Sequence, residues 1–97
     1  MERRKTVKLG NMMHLFWSEH PELYHKMMEA RVQRLWNELC GPTIAQYTNK
    51  VYVKNRTLYV SMSSSVARNE MTSIRKRIVT ALNKNAGADV IDDVIIR

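Results

Sequence analysis

The segment 50–62, KVYVKNRTLYVSM, constrains the fold more than any other part of the sequence. Valine, tyrosine, threonine and leucine alternate there with polar residues at a period of two, which predicts two half-buried strands joined at Asn55 and Arg56. A two-residue loop at that point pairs Val53 with Leu58, Tyr52 with Tyr59, Val51 with Val60, and Lys50 with Ser61. A slip of one residue would mix the two faces, so burial of the apolar face fixes this register.

The predicted register gives the hairpin one apolar and one polar face. The apolar face carries Val51, Val53, Leu58, Val60 and Met62, and the polar face carries Lys50, Tyr52, Lys54, Thr57 and Tyr59. Arg56 fits a tight turn poorly because such turns favour residues that tolerate positive φ, above all glycine, so a slightly longer loop is an alternative. Since a two-stranded hairpin is marginal alone, we expect helices over its apolar face and a third strand.

Length and charge restrict the rest of the chain. The 97 residues fit one domain over 9–97, preceded by a basic, aperiodic segment, 1–8, that we expect to be a flexible arm. The net charge of +7 suits binding to a polyanion, and it also serves solubility. No apolar run is long enough to span a bilayer, and the single cysteine, Cys40, can neither close an internal disulfide nor build a thiolate zinc site. We therefore expect a cytoplasmic protein without a membrane segment.

Helical segments are predicted ahead of the hairpin. An apolar stripe that includes Phe16 predicts a helix over 9–19, and Pro21 indicates a break before a new helix. Within 22–40, Leu23 and Met27 point about 130° away from the next apolar stripe on a helical wheel, which predicts two helices or one sharply bent helix. That second stripe consists of Met28, Val32, Leu35, Trp36 and Leu39.

Glycines are predicted to end two of the helices. Gly41 ends the helix before the hairpin, leaving 43–47 as a short turn, and Gly87 ends a long helix that begins after the serines at 63–65. The buried stripe of the long helix is predicted to be Ala67, Met71, Ile74, Ile78, Ala81 and Leu82. The β-branched run 90–96 predicts a third strand, which a helical crossover allows to run parallel to its neighbour. The predicted class is α+β, a three-stranded sheet with helices on one face in the order α-α-α-β-β-α-β.

The sequence lacks a recognisable catalytic or metal-binding constellation. His14, His20 and His25 lie in the N-terminal helices without a cysteine pair or a cluster of carboxylates. The isolated glycines form no phosphate-binding loop. We expect a protein that is not an enzyme and needs no cofactor.

Several consecutive motifs resemble a known family. RVQRLW at 31–36, LCGP at 39–42, IAQYT at 44–48 and NRTLYVSMSSSVARNEM at 55–71 are similar to the DciA family of bacterial replicative-helicase loaders, as is the run 90–97. The resemblance covers nearly everything from Lys8 onward. It implies a fold similar to a KH domain, and binding to DNA and to the replicative helicase. The glycine-x-x-glycine loop with which KH domains clamp a nucleic-acid backbone is absent, so that contact is not implied.

Basic side chains are the first candidates for nucleic-acid contacts. Arg68, Arg75 and Lys76 of the long helix, with Arg3 and Arg4 of the arm, are predicted to supply most contacts to phosphates.

The polar face of the hairpin has three interpretations. Tyr52 and Tyr59, lying among Lys50 and Lys54, form a cross-strand aromatic pair, a stacking platform for unpaired bases, or the surface of a homodimer. The platform would favour single strands, since the bases of a duplex are already stacked.

Leu15 lies outside the apolar stripe of its helix and Trp17 lies on the edge of the stripe. They are either ordinary exposed residues or a partner-binding patch.

These features, together with the resemblance, favour a nucleic-acid-binding accessory protein that positions the replicative helicase in DNA replication. A protein-interaction module whose charge only maintains solubility, and a general RNA-binding domain, are the alternatives.

Overall fold

The computed structural model describes residues 14–97, which form an α+β fold with a three-stranded mixed sheet. The helices are α1 over 14–19, α2 Pro21–Tyr47, α3 Ser65–Ser73 and α4 Arg75–Ala86; the strands are β1 Thr48–Lys54, β2 Thr57–Met62 and β3 Asp93–Ile96. The predicted class is confirmed, and the arrangement is broadly consistent with a KH-like fold. The order is α-α-β-β-α-α-β instead of α-α-α-β-β-α-β. The arm 1–8 and the start of the predicted helix over 9–19 lie outside the described residues.

The sheet has the order β1-β2-β3, with β1 antiparallel and β3 parallel to β2. All four predicted cross-strand pairs are confirmed, and the two-residue loop holds Asn55 at φ 52° and Arg56 at φ 58°. A register shift between Thr48 and Lys50 adds a bulge that the sequence pattern did not indicate. The parallel third strand is confirmed but is shorter than the run 90–96: it spans Asp93–Ile96, and Ile91 is fully buried in the loop before it.

The core lies between the helices and one face of the sheet. Leu58, Val60 and Met62 of β2 point into it and are buried. Helices α2 and α4 cover them with Met28, Val32, Trp36, Ile78, Leu82 and Ala86. Lys50, Lys54 and Ile95 are exposed on the opposite face. The period-two pattern therefore identified both faces of the hairpin.

Helix α2 bends at Gly41 and not between Met27 and Met28, so the predicted break within 22–40 is wrong. Leu23, which pointed away from the main stripe, is 46% exposed and needs no second helix to bury it. Gly41 adopts φ 82° and ψ 173°, and helical structure resumes at Pro42. The turn predicted for 43–47 is thus helical, because proline is well suited to the first position of a new helical turn.

The long helix predicted after the hairpin is divided at Ile74. This residue has φ −114° and ψ 21°, and it is 38% exposed where the stripe had placed it in the core. Just before it, the hydroxyls of Thr72 and Ser73 donate to the carbonyls of Arg68 and Glu70 at 2.7 and 2.6 Å. Hydroxyl groups that bond backbone carbonyls compete with helix geometry, which accounts for the break.

Arg56 fastens the hairpin turn to the loop before β3. Its Nε and Nη2 donate to the two carboxylate oxygens of Asp92, each at 3.0 Å, and its Nη1 donates to the carbonyl of Asp89 at 3.0 Å. The hydrogen bond from Arg56 holds the pKa of Asp92 below its usual value. A tertiary ion pair therefore explains an arginine at a turn position that favours glycine.

Trp36 is fully buried, and its Nε1 donates to Thr48 Oγ1 at 3.2 Å. Trp36→Ala should cost roughly 3–5 kcal/mol of unfolding free energy, because it leaves a large cavity and removes this hydrogen bond. Urea unfolding followed by circular dichroism measures the loss. An unchanged unfolding midpoint would contradict the core position of this side chain.

Replacement of Arg56 should separate turn strain from the ion pair. Arg56→Gly and Arg56→Ala both remove the contact to Asp92, but only glycine relieves the positive φ, so the alanine variant should be less stable by roughly 1–2 kcal/mol. The advantage of the wild type over Arg56→Ala, which keeps the positive φ and lacks the ion pair, should be complete above the pKa of Asp92 in the unfolded chain. This advantage should shrink as pH falls through the lower pKa of Asp92 in the folded state. Urea midpoints at neutral and acidic pH test this, and a gap that does not change with pH would contradict it.

Candidate nucleic-acid interface

Tyr52 and Tyr59 form an aromatic pair on the outer face of the sheet. The hairpin register places them directly opposite each other, and their rings lie 5.0 Å apart at an interplanar angle of 14°. Both side chains are half-buried. The pair predicted from the register is therefore present, with part of each ring open to solvent.

Two cations flank this aromatic pair. Lys50 Nζ lies 5.2 Å from the centre of the Tyr52 ring. The guanidinium of Arg97 lies 5.0 Å from the centre of the Tyr59 ring, and its Nη2 donates to the Tyr52 hydroxyl at 2.9 Å. We call Lys50, Tyr52, Lys54, Tyr59 and Arg97 the tyrosine face.

Sequence reasoning missed Arg97. The residue follows β3 directly, and its N–H donates to the Val60 carbonyl at 2.9 Å, which continues the sheet by one residue. Since Tyr59 pairs with Ile95, the alternation of side chains puts Arg97 on the same face. The alternation of side chains along 93–97 can be read from the sequence. It assigns Arg97 to the face of Tyr59 only once the parallel register between β2 and β3 is known.

The tyrosine face has the chemistry of a site for single-stranded nucleic acid. Aromatic rings stack on bases, while lysine and arginine neutralise phosphates. Lys54 is exposed at the hairpin end of the face. The nearby Asp93 makes an ion pair with Arg75, with 3.8 Å between Arg75 Nε and Asp93 Oδ1.

The predicted phosphate contacts on α3 and α4 are not brought together. Arg68 donates to the Met62 carbonyl at 3.2 Å and is partly buried, whereas Arg75 pairs with Asp93 at the start of β3. Met62 and the strand position beside Asp93 are five residues apart on β2, roughly 15 Å along the strand. Lys76 is exposed next to Arg75 in the first turn of α4. Arg3 and Arg4 lie outside the described residues.

The two predicted partner-binding residues differ in environment. Leu15 is 59% exposed. Trp17 is half-buried, and its ring contacts those of Phe16 and Tyr24 at centroid distances of 5.0 and 5.9 Å. Phe16, which the apolar stripe placed in the core, is 45% exposed. The apolar surface at this end of the molecule is thus larger than predicted.

A mainly apolar groove of about 340 Å³ separates α2 from α3 and α4. Leu39 and Ile74, both expected in the core, line it and are exposed. Burial raises the pKa of the Cys40 thiol, which also lines the groove, to about 11. The thiol is therefore protonated near neutral pH and is a poor nucleophile.

In residues 14–97, no group of three or more histidine, cysteine, aspartate or glutamate side chains is arranged to hold a metal ion. Over the same range, no helix combines the length and the apolar character needed to cross a membrane.

Fold and surface together define a small α+β protein with a KH-like arrangement and a basic, aromatic sheet face. The family model described as "Dna[CI] antecedent, DciA" matches residues 8–96, so the chain belongs to the DciA family. Membership indicates a role as a replicative-helicase loader in DNA replication, with the replicative helicase as a partner. This family is not known as one of enzymes. A search of curated proteins found no match.

Proposed function

We propose that this protein assists helicase loading as a non-enzymatic factor that holds unpaired DNA on the tyrosine face. The observation that carries the proposal is the stacked pair Tyr52–Tyr59 with Lys50 and Arg97 against its rings. A helicase works on a single strand of DNA. An accessory factor that binds unpaired bases therefore acts where the helicase is loaded onto that strand. Such binding needs geometry and charge but no catalytic group.

Single strands suit this face better than a duplex. Stacking of a base on an aromatic side chain contributes about 1–3 kcal/mol, and only unpaired bases have free ring faces to offer. The hydroxyl of Tyr52 and the cations around the rings supply polar contacts to sugar and phosphate. Base preference is expected to be weak because every base has an aromatic face.

Arg97 is the residue that must adapt when a base binds. Its guanidinium lies over Tyr59 and also holds the Tyr52 hydroxyl, so it covers part of the aromatic surface. A base stacked on Tyr59 takes that place, and Arg97 turns toward a phosphate. The arginine thus protects the rings in the free protein and adds charge to the complex.

Arg75 and Lys76 are proposed to bind phosphates of the same or a neighbouring strand. They lie in the first turn of α4, where free backbone N–H groups and the helix dipole also favour anions. The exposed ion pair of Arg75 with Asp93 is weak and easily exchanged for a phosphate. Arg3, Arg4 and Arg68 are additional proposed contacts, although the hydrogen bond of Arg68 to Met62 also gives it a structural role.

Leu15 and Trp17 are proposed to contact the helicase in the bacterial cytoplasm. Leu15 and Phe16 of α1 and Leu23 at the start of α2 are exposed apolar side chains that a protein partner would cover. This set of side chains shares no residue with the tyrosine face, so the two proposed contacts use different side chains.

A homodimer through the sheet is the second candidate. Ile95 is 39% exposed beside Tyr59, and an apolar side chain next to aromatic rings suits a contact between two copies. Dimerisation would cover the rings and compete with DNA. Sedimentation measured with and without DNA distinguishes these uses of the face.

Tyr52→Ala and Tyr59→Ala should each weaken binding to single-stranded DNA roughly tenfold, while duplex binding changes little. Fluorescence anisotropy with labelled single-stranded and duplex DNA, and with RNA of the same sequence, measures the difference. Tyr47→Ala is the matched control, since Tyr47 is 38% exposed and lies outside the tyrosine face. Equal losses for single strands and duplex, or no loss in a folded variant, would reduce the pair to a structural role.

Arg75→Gln combined with Lys76→Gln should weaken binding to all sequences and lower the slope of log affinity against log salt by about one to two. The control variant is Lys84→Gln, which removes an exposed charge at the other end of α4. A slope equal to that of the wild type would remove Arg75 and Lys76 from the binding site.

A further inference from the structure

An open groove of about 770 Å³, with a lining that is about half polar and half apolar, runs between α2 and the free edge of β1. Its lining includes Gln33, Arg34, Asn37, Thr48, Asn49 and Lys50. We call it the α2–β1 groove. Lys50 also belongs to the tyrosine face, so the groove begins where that face ends.

We propose that the α2–β1 groove binds the continuation of the single strand held on the tyrosine face, taking its phosphates and the edges of its bases. This inference rests on the proposed function and adds the path of the strand across β1. No sequence pattern pointed to Arg34, Asn37 or Asn49, because they come together only when α2 packs beside β1.

The charges of the groove suit a phosphate backbone. Arg34 and Lys50 are exposed, and among the described residues neither is in an ion pair. None of the residues that line the groove is acidic. A phosphate entering it therefore meets two available cations without a carboxylate to repel it.

The amide side chains of the groove suit base edges. Gln33, Asn37 and Asn49 each offer a donor and an acceptor, and unpaired bases present both kinds of group. Thr48 has a different task, because its hydroxyl accepts from Trp36 Nε1 at 3.2 Å and donates to the Ile44 carbonyl at 3.0 Å. That contact fixes the start of β1 against α2 and so sets the width of the groove.

The edge of β1 adds backbone groups to the same wall. Lys54 and Thr57 flank the two-residue loop and form a hydrogen-bonded pair. Hydrogen-bonded and non-hydrogen-bonded pairs alternate along an antiparallel ladder, and in a non-hydrogen-bonded pair the backbone N–H and C=O groups point away from the partner strand. By that count the N–H and C=O of Val51 point away from β2, on the side that lines the groove. They supply one donor and one acceptor that do not depend on side-chain identity.

An added peptide strand is the competing occupant of a free sheet edge. Here the register shift between Thr48 and Lys50 interrupts the ladder at the groove. Bulges and lysines at an edge disfavour strand addition, whereas neither hinders a flexible nucleic-acid strand. The bulge and the two cations favour the nucleic acid.

The test compares oligothymidylates of about four and about twelve nucleotides, one at the lower limit and one well within the range of site sizes of single-strand binding domains. The variant is Arg34→Gln with Asn37→Ala, two exposed positions whose replacement leaves the core intact. It should bind the short oligomer like the wild type and the long oligomer roughly fivefold to tenfold more weakly. Lys84→Gln, the charge-matched control, should reduce neither affinity beyond the small effect of net charge.

Tyr52→Ala, measured in parallel, separates failure of this inference from failure of the proposed function. If Tyr52→Ala weakens both oligomers and the groove variant weakens neither, the groove is not part of the site and the inference is overturned. If Tyr52→Ala binds both oligomers like the wild type, the tyrosine face itself is excluded and the proposed function fails. Equal weakening of both oligomers by the groove variant would also overturn the inference. It would indicate a general effect of the lost charge on affinity and not contact of the longer strand with the groove. Urea midpoints of all variants confirm that each is folded.

Discussion

Burial of alternate side chains along β2 is the constraint on which the other features depend. Leu58, Val60 and Met62 are at most 4% exposed, and a shift by one residue would expose all three. Because β2 is the central strand, its register also sets those of β1 and β3. The same constraint turns Tyr59 outward and brings Tyr52 beside it, so the candidate site is a direct consequence of how the core is packed.

The hairpin turn links this register to the third strand. Arg56 accepts a left-handed conformation and holds Asp92, while the Arg56 carbonyl accepts from the Asp92 N–H at 2.7 Å. Asn83 fixes the same loop from α4, accepting from the N–H groups of Val90 and Ile91 with its Oδ1. These contacts define where β3 starts, and four residues later the chain places Arg97 on the tyrosine rings. Structural polar contacts at one end of the sheet thereby position a side chain of the candidate site at the other.

The fold separates two kinds of surface. Helices occupy one face of the sheet and leave exposed apolar side chains of their own, at Leu15 in α1 and at Leu39 and Ile74 along the helical groove. The other face of the sheet and the edge of β1 carry cations, tyrosines and amides. In the proposed function, this division assigns the helicase and the nucleic acid to different residues.

Local patterns in the sequence determined the hairpin, its register, the loop at Asn55 and Arg56, the break before Pro21, and the pairing of Tyr52 with Tyr59. Period-two alternation and turn chemistry act between near neighbours, so they can be read without knowing the fold. The division at Ile74 and the helical turn after Gly41 were missed, because periodicity alone does not register competing hydroxyl bonds or a proline that restarts a helix. Only the tertiary structure decided the roles of Arg56 and Arg97, whose partners Asp92 and Tyr52 are 36 and 45 residues away, and the grouping of Arg34 with Lys50. Contacts of that range depend on how the packed elements are oriented, and no local pattern encodes that orientation.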